Sequence, residues 1–359
     1  MKIIFISELA AGGVERVNYL LAKGLSKRHD VSILSVKGIG KDYVSDVPIF
    51  VLNKTSGKVA ILDMIRVLRR EKPDWIITCE HTGTLCAEIY KYLFNKKSHV
   101  MFVLHSVYSS IFRYNTKKKL LLQHYLPKAF GLYNHCDLII YVSDGVKKDF
   151  TNCFKITKPS QKVIYNPVFE NMPCNQKHDF NINNKVKLVS VGRLSHEKRQ
   201  NLLIEALRIL RSKGLNYDLF LYGEGNLKNE LEEQAKLLNI HEYVHFMGFR
   251  IDVIEELYKY DIFCLASEFE SFGNVIVEAM GAKVPVVSVD CPYGPREILG
   301  NGEFGSLTSD IPNDIAQAIL DICTNDDIQS IIEKAYKKSQ CFLLKEIETK
   351  YEEAMASIN

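Results

Sequence analysis

Short runs of β-branched, aromatic and aliphatic residues alternate along the chain with longer stretches whose apolar positions recur every three or four residues. In the first half, KIIFIS, DVSILSV, DWIITCE, HVMFVLHS and DLIIYVS read as buried strands, with GVERVNYLLAKGLSKR and AILDMIRVLRREK among the amphipathic helices between them. The alternation closes near KVIYNPVF. The polar stretch FENMPCNQKHDFNINNK, with a proline and several asparagines, then reads as a linker. A second series follows, with VKLVSV, DLFLYG, VHFMG, DIFCLAS and PVVSVD as strands and QNLLIEALRILRSKG, LKNELEEQAKLLN, NVIVEAMGAK and PNDIAQAILDICTN as helices. This pattern predicts an α/β chain of two Rossmann-like, doubly wound domains, spanning 1–170 and 171–340. Residues 341–359 read as a C-terminal helix crossing back to the first domain. Two such domains face each other across a cleft bordered by the carboxyl-end loops, where sheets of this class take ligands.

Length and composition narrow the class. The 359 residues are too many for one ordinary core, and 47% apolar with 25% charged residues is a soluble globular balance. No apolar run approaches the roughly 18 residues needed to span a bilayer, and the first run is interrupted by Glu8, so a cytoplasmic location is expected. Nine cysteines without a CxxC pair read as reduced structural thiols, not metal ligands. The net charge of +3 conceals an asymmetry: residues 1–170 carry 26 Lys and Arg against 14 Asp and Glu, a balance of +12, and the remainder carries −9. A basic first half suits an anionic partner such as a membrane surface, a lipid diphosphate or nucleic acid. Unequal solvation without function is the alternative.

Candidate chemistry gathers where strands end. After DIFCLAS, the turn ESFGN leads into NVIVEAMGAK, so the N–H groups around Gly273, Asn274 and Val275 open a helix whose dipole favours an anion. Gly273 lets a phosphate come close to the backbone. Glu278 shares a helix face with Asn274 and, as an acceptor-only carboxylate, suits vicinal hydroxyls such as those of a ribose. Glu270, before the helix, faces the other end of such a ligand. Hydroxyls at both ends with phosphates between them describe a nucleotide sugar. The plainer alternative is a solvated loop glutamate and a helix-start charge.

In VSVGRLSHEKRQNLLIEAL a strand ends at Gly192, Arg193 follows, and Lys198 precedes a helix. A planar fork and a point charge suit a diphosphate and would stabilise it on departure, ordinary surface cations being the alternative. Arg199, next door, is expected to point elsewhere. Gly223 and Gly225 in LYGEGNL, and Gly12-Gly13 after the first strand, stand at further strand ends, where a turn explains them as well as a ligand does. The latter pair is not GxGxxG, so the dinucleotide fingerprint is missing. His105 ends HVMFVLH at a carboxyl edge, placed to meet a sugar hydroxyl, although a lone strand histidine is more often structural.

Together these stretches resemble the retaining glycosyltransferases of family 4, whose fold is GT-B. The resemblance rests on E-x7-E as Glu270…Glu278, on GRL-xxx-K as Gly192-Arg193-Leu194…Lys198, on GGVERV after the first strand, and on DCPYGPREIL at Asp290 to Leu299. It covers nearly the whole chain and is strongest over residues 186–300. It implies that Arg193 and Lys198 hold the donor diphosphate, that Glu270 contacts the transferred sugar and Glu278 the ribose. It further implies that Gly12-Gly13 is the family's glycine loop and that His105 touches the donor sugar. The family needs no metal, this chain has no DxD motif, and no cofactor is expected. Ser271-Phe272 stands where Gly-Phe is frequent, and His196-Glu197 precedes Lys198, so the sugar pocket departs from the common pattern.

The expected activity is transfer of a hexose or N-acetylhexosamine, with UDP-sugars favoured, to a glycan or polyprenyl-diphosphate-linked acceptor in capsule, lipopolysaccharide or related surface-polysaccharide assembly. The resemblance implies retention by front-face substitution, with Arg193, Lys198, Glu270 and His105 as the catalytic set. The stretch from Ser106 to Tyr133 mixes Arg113, Lys117, Lys118 and Lys119 with aromatic residues, which suits the acceptor side and peripheral contact with an inner membrane. Aromatics packing inward is the alternative. A nucleotide-sugar epimerase would need acid–base carboxylates facing the sugar, and only Glu270 is so placed. A phosphorylase would want a cofactor-bearing lysine and a much longer chain. A nucleic-acid binder would leave both glutamates unexplained, and no recognised motif for one is present, so no nucleic-acid partner is expected.

Overall fold

The computed structural model describes residues 1–9, 12–38, 46–110, 112, 124–173, 185–250 and 253–358. The chain divides into two compact units, Met1–Glu170 with Leu344–Asn359, and Asn171–Leu343. In the first unit, β1 (Lys2–Ile6), β2 (Asp30–Ser35), β3 (Ile49–Val51), β4 (Trp75–Thr78), β5 (His99–Leu104), β6 (Leu138–Tyr141) and β7 (Ser160–Val163) form a parallel sheet in the order β3-β2-β1-β4-β5-β6-β7. Its helices among the described residues include α1 (Gly13–Leu25), α2 (Gly57–Glu71), α3 (His81–Leu93), α4 (Leu126–Ala129) and α5 (Asp144–Cys153). Helices cover both faces of such a sheet, which is why β1 and β6 are apolar without alternation, and Ile3, Ile4, Leu138 and Ile139 are wholly buried.

The second unit repeats the plan. Here β8 (Val186–Val191), β9 (Tyr217–Tyr222), β10 (Val244–Gly248), β11 (Ile262–Leu265), β12 (Val286–Val289) and β13 (Ser306–Thr308) run parallel in the order β10-β9-β8-β11-β12-β13. The helices are α6 (Gln200–Ser212), α7 (Lys228–Leu237), α8 (Asn274–Gly281), α9 (Gly294–Ile298), α10 (Pro312–Cys323) and α11 (Ile328–Ser339). Both sheets therefore have the doubly wound order that the alternation predicts. The order reverses between β1 and β4 in one unit and between β8 and β11 in the other, and such switch points are where the carboxyl ends leave room for a ligand. The edge strands β3 and β13 escape the sequence pattern because three residues cannot display a period; pairing with β2 and β12 defines them.

A final helix, α12 (Leu344–Ala356), belongs to the first unit. Leu344 N donates to Phe169 O at 2.7 Å, and the guanidinium of Arg28, just beyond α1, reaches Glu348 at 3.0 Å and Glu352 at 2.8 Å. Gly24 lets the helix lie close, since a Cβ there would come within 2.3 Å of the Glu348 carboxylate. Tyr351 is almost completely buried, at 1% exposure. Truncating it to alanine should destabilise the first unit by about 3–5 kcal/mol, the usual cost of removing a buried aromatic side chain. Urea unfolding followed by far-UV circular dichroism measures this, and a loss below about 1 kcal/mol would show that α12 is only loosely attached.

Candidate active site

The carboxyl ends of β8 and β11 are neighbours at the second unit's switch point, and the loops leaving them are tied together. Lys198 Nζ lies 2.5 Å from Glu270 Oε1, and Ser267 Oγ donates to the same oxygen at 2.7 Å. Glu270 is 9% exposed, so this is a charge pair in a largely dehydrated setting, where the attraction far exceeds its value in water but must offset the cost of burial. A lysine ammonium has three donors, and Glu270 takes one of them. Arg193, by contrast, is exposed, and among the described residues its side chain has no ion-pair partner.

Arg199 fastens the two loops. Its backbone is left-handed (φ 47°), and its side chain donates to the carbonyls of Ala266 at 3.1 Å and Ser267 at 3.2 Å and to Asp310 at 2.9 Å. Glu268 N donates to Glu197 O at 2.8 Å alongside. From the other side, Gly294 N donates to Glu270 O at 3.1 Å, forming a bridge between Glu270 and Tyr293. Tyr293 has φ 87°, a conformation costly for any side-chain-bearing residue, while a Cβ on Gly294 would overlap Phe272 O at 1.8 Å. Ser267, Arg199, Tyr293 and Gly294 were not among the expected site residues. The one signal for them was that they sit in or beside the quoted loops.

The glycines of LYGEGNL make close backbone approach possible. A Cβ on Gly223 would fall 2.0 Å from Gly192 O, and one on Gly225 would fall 2.1 Å from Leu194 O. Gly192 N and Leu194 N donate to Tyr222 O and Glu224 O, each at 2.9 Å, so the Arg193 loop lies directly on this one. Gln200 then holds Arg193 O from the start of α6 at 2.9 Å. At α8, Gly273 adopts φ 102°, and its carbonyl accepts from Ile276 N at 2.9 Å. Asn274 and Val275 are half-buried at the first turn, and Glu278, one turn on, is buried.

In the first unit, Gly12 and Gly13 open α1, with the Glu15 carboxylate folded back over Gly12, where a Cβ would clash with it at 2.2 Å. Asn18, one turn into α1, gathers three strand ends: it bonds Ser7 Oγ at 3.0 Å, Cys79 Sγ at 3.3 Å and His105 Nε2 at 3.2 Å. His105 is 6% exposed. Burial pushes its imidazole down to about 4, a hydrogen bond with Asn166 acting the other way, so the ring is neutral at pH 7. A small concavity at the ends of β1 and β4 is lined by Ser7, Glu8, Glu80 and Thr82 together with the apolar Ile6, Leu34, Val36 and Met64. Burial raises the Glu80 carboxyl, with Glu8 contributing.

Arg113, Lys117, Lys118 and Lys119 lie outside the described residues. Of the described residues in the stretch from Ser106 to Tyr133, Tyr108 packs inward against Phe150 and Phe154, whereas Phe112 and Tyr125 are exposed. Among the described residues, no group of three or more His, Cys, Asp and Glu is disposed to hold a metal ion.

Comparison with known proteins bears on this geometry. Residues 11–170 match the family model described as Glycosyltransferase Family 4, and residues 175–339 match that described as Glycosyl transferases group 1. The chain is 34% identical over 208 residues to the N-acetylgalactosamine-N,N'-diacetylbacillosaminyl-diphospho-undecaprenol 4-alpha-N-acetylgalactosaminyltransferase of Campylobacter jejuni, covering 57% of this chain and 55% of that protein. The match thus spans little more than half that relative's length. An uncharacterized glycosyltransferase of Haemophilus influenzae is 27% identical over 331 residues, 88% of each chain. Among solved structures, Anabaena HepE in complex with UDP and glucose superimposes with a TM-score of 0.82 at 23% identity, covering 99% of this chain and 100% of that one. At that identity the likeness establishes the fold, GT-B.

Two outcomes test this arrangement. Gly223→Ala should destabilise the second unit by more than about 3 kcal/mol, whereas Gly214→Ala, also at positive φ but with open space around it, should cost about 1 kcal/mol. Equal costs in thermal unfolding would mean the Gly223 contact is unimportant. Unfolded, the His105 ring takes a proton near pH 6.5; folded, it does so only near 4, so acid favours the unfolded chain across that window. The stability advantage of the wild type over His105→Asn should therefore shrink as pH falls from 6.5 to 4 in urea titrations, and a pH-independent difference would contradict a buried neutral imidazole.

Proposed function

The chain belongs to the family 4, group 1 glycosyltransferases, and from that premise we propose that it is a retaining, metal-independent enzyme. It moves a hexose or N-acetylhexosamine from a nucleotide sugar to a hydroxyl of a glycan or polyprenyl-diphosphate-linked oligosaccharide in surface-polysaccharide assembly. The observation that carries this is the convergence of Arg193, Lys198, Glu270 and the first turn of α8 on two adjacent strand ends. Cations beside a carboxylate held in place match the junction of a diphosphate and a sugar. UDP is favoured as the carrier because the similar Anabaena protein was solved with UDP and glucose. A lipid-linked acceptor is favoured because the Campylobacter relative is named for a diphospho-undecaprenol acceptor.

In this reading Arg193 and Lys198 take the diphosphate, Gly273 and the N–H groups that follow admit a phosphate to the backbone, and Glu278 accepts from ribose hydroxyls. Glu270 orients the transferred sugar. It is already engaged by Lys198 and Ser267, which suits a positioning role better than that of a nucleophile on the sugar's far face. The acceptor hydroxyl attacks C1 on the side the diphosphate leaves. The new C1–O bond forms as the old one breaks, and the proton passes to the departing phosphate oxygen. The cations stabilise charge as it develops there. His105 touches the donor sugar, as the family resemblance implies. The enzyme works in the cytoplasm, in peripheral contact with the inner membrane.

Arg193→Ala and Lys198→Ala should each lower kcat by about 10²–10³, the cost of losing one preorganised group at a developing anion, with much smaller changes in acceptor KM. UDP release on mixing a UDP-sugar with acceptor measures this. Near-normal turnover in both variants would refute the role. Thermal stabilisation by a panel of UDP- and GDP-sugars identifies the donor, since a bound ligand raises apparent stability by mass action.

A further inference from the structure

One side chain reaches three loops at the second unit's carboxyl edge. Arg199 stands after β8 and donates to Ala266 O and Ser267 O, which follow β11, and to the Asp310 carboxylate, which follows β13. Its backbone, at φ 47° and ψ 42°, is left-handed, a conformation that any residue with a side chain adopts at a cost. Asp310 is exposed, whereas Ser267 is wholly buried and its hydroxyl donates to Glu270 Oε1. The contacts therefore run in series: Asp310 to Arg199, Arg199 to the backbone of Ser267, and the Ser267 hydroxyl to Glu270.

We infer that Ser267 and Arg199 are positioning residues for Glu270 and fix which of its oxygens is left for the transferred sugar. Among the described residues, Lys198 and Ser267 both bind Oε1, which leaves Oε2 to accept from a sugar hydroxyl. The two contacts differ once a donor arrives. A diphosphate competes with Glu270 for the Lys198 ammonium, since both are anions. It does not compete for a hydroxyl at 0% exposure, so Ser267 keeps the carboxylate oriented while Lys198 turns to the phosphates. Arg199 in turn holds Ser267 still, because one rigid, planar guanidinium binds two consecutive carbonyls. The strained backbone at Arg199 accords with this: glycine would relieve it but supply no guanidinium. The inference rests on the nucleotide-sugar reading above and adds to it how the sugar-facing carboxylate is held.

UDP release from a UDP-sugar and acceptor gives kcat, and inhibition by UDP gives the affinity of a ligand that lacks the sugar. Ser267→Ala should lower kcat about 10- to 100-fold, the range for a lost hydrogen bond to a charged group, with UDP inhibition and the thermal midpoint nearly unchanged. Arg199→Gly, whose backbone suits the left-handed turn, should lower kcat by at least about tenfold. The double variant should lose no more than the more impaired single one, because the guanidinium acts through the hydroxyl. A second measurement needs no substrate. A Ser267→Ala, Glu270→Ala cycle in urea unfolding should show a coupling of at least about fivefold in the unfolding equilibrium constant, and none in the Arg199→Gly background. The inference is overturned if Ser267→Ala turns over like the wild type, if kcat falls only together with UDP affinity and the thermal midpoint, or if the two single losses multiply. It is likewise overturned if the coupling is absent, or is the same with and without Arg199. A wild type that releases nucleotide from no UDP- or GDP-sugar refutes the donor reading instead, and the coupling then still decides whether Arg199 and Ser267 hold Glu270.

Discussion

One charge pair organises the second unit's carboxyl edge. Lys198 and Glu270 stand 72 residues apart in sequence and 2.5 Å apart in space, because β8 and β11 are adjacent where the strand order reverses. A lysine and a glutamate brought out of water together gain from each other only when their geometry is held, since dehydration takes back much of the attraction. The surroundings supply that hold. Ser267 shares the carboxylate, Arg199 binds the carbonyls just before it, and the bridge to Tyr293 fixes the backbone behind it. A strained tyrosine and three glycines that admit no Cβ are what this degree of closeness requires. On the proposed reading, the same pair stands at the junction of sugar and diphosphate: the ammonium meets the phosphates, and the carboxylate meets the sugar.

The first unit repeats the topology with different chemistry. Its strand ends converge on Asn18, a neutral residue, and on an imidazole kept neutral by burial. Polar residues (Ser7, Glu8, Glu80 and Thr82) and apolar ones (Ile6, Leu34, Val36 and Met64) line a small concavity at the ends of β1 and β4, and among the residues lining it there is no fixed cation. On the proposed reading, the second unit takes the phosphate-bearing donor. On the outer face of α2, Arg66, Arg69 and Arg70 are exposed, Arg66 pairing with Asp63 and Arg70 with Glu71. The last helix, α12, serves the core in place of the site, since its buried Tyr351 and its ion pairs with Arg28 complete the first unit.

What the sequence by itself determined was the class of architecture and the neighbourhoods of the chemistry. Continuous apolar runs separated by 3.6-period stretches can satisfy their backbones and bury their side chains in few ways other than parallel sheets covered on both faces, so strands from KIIFIS to PVVSVD are legible from local pattern. Charged residues stationed at strand ends stand out for the same reason, as Arg193, Lys198 and Glu270 do. What only the tertiary structure decided was which of them meet. No local period records that β8 lies beside β11, that Arg199 turns back to the carbonyls of Ala266 and Ser267 while Arg193 stays exposed, or that Gly223 and Gly294 are glycines because another chain segment passes within van der Waals reach. The three-residue edge strands β3 and β13 are invisible to pattern for a related reason: they are strands only because a neighbour offers them hydrogen bonds. Periodicity is a property of successive residues, whereas pairing, burial of a charge and the exclusion of a Cβ are properties of residues that the fold alone brings together.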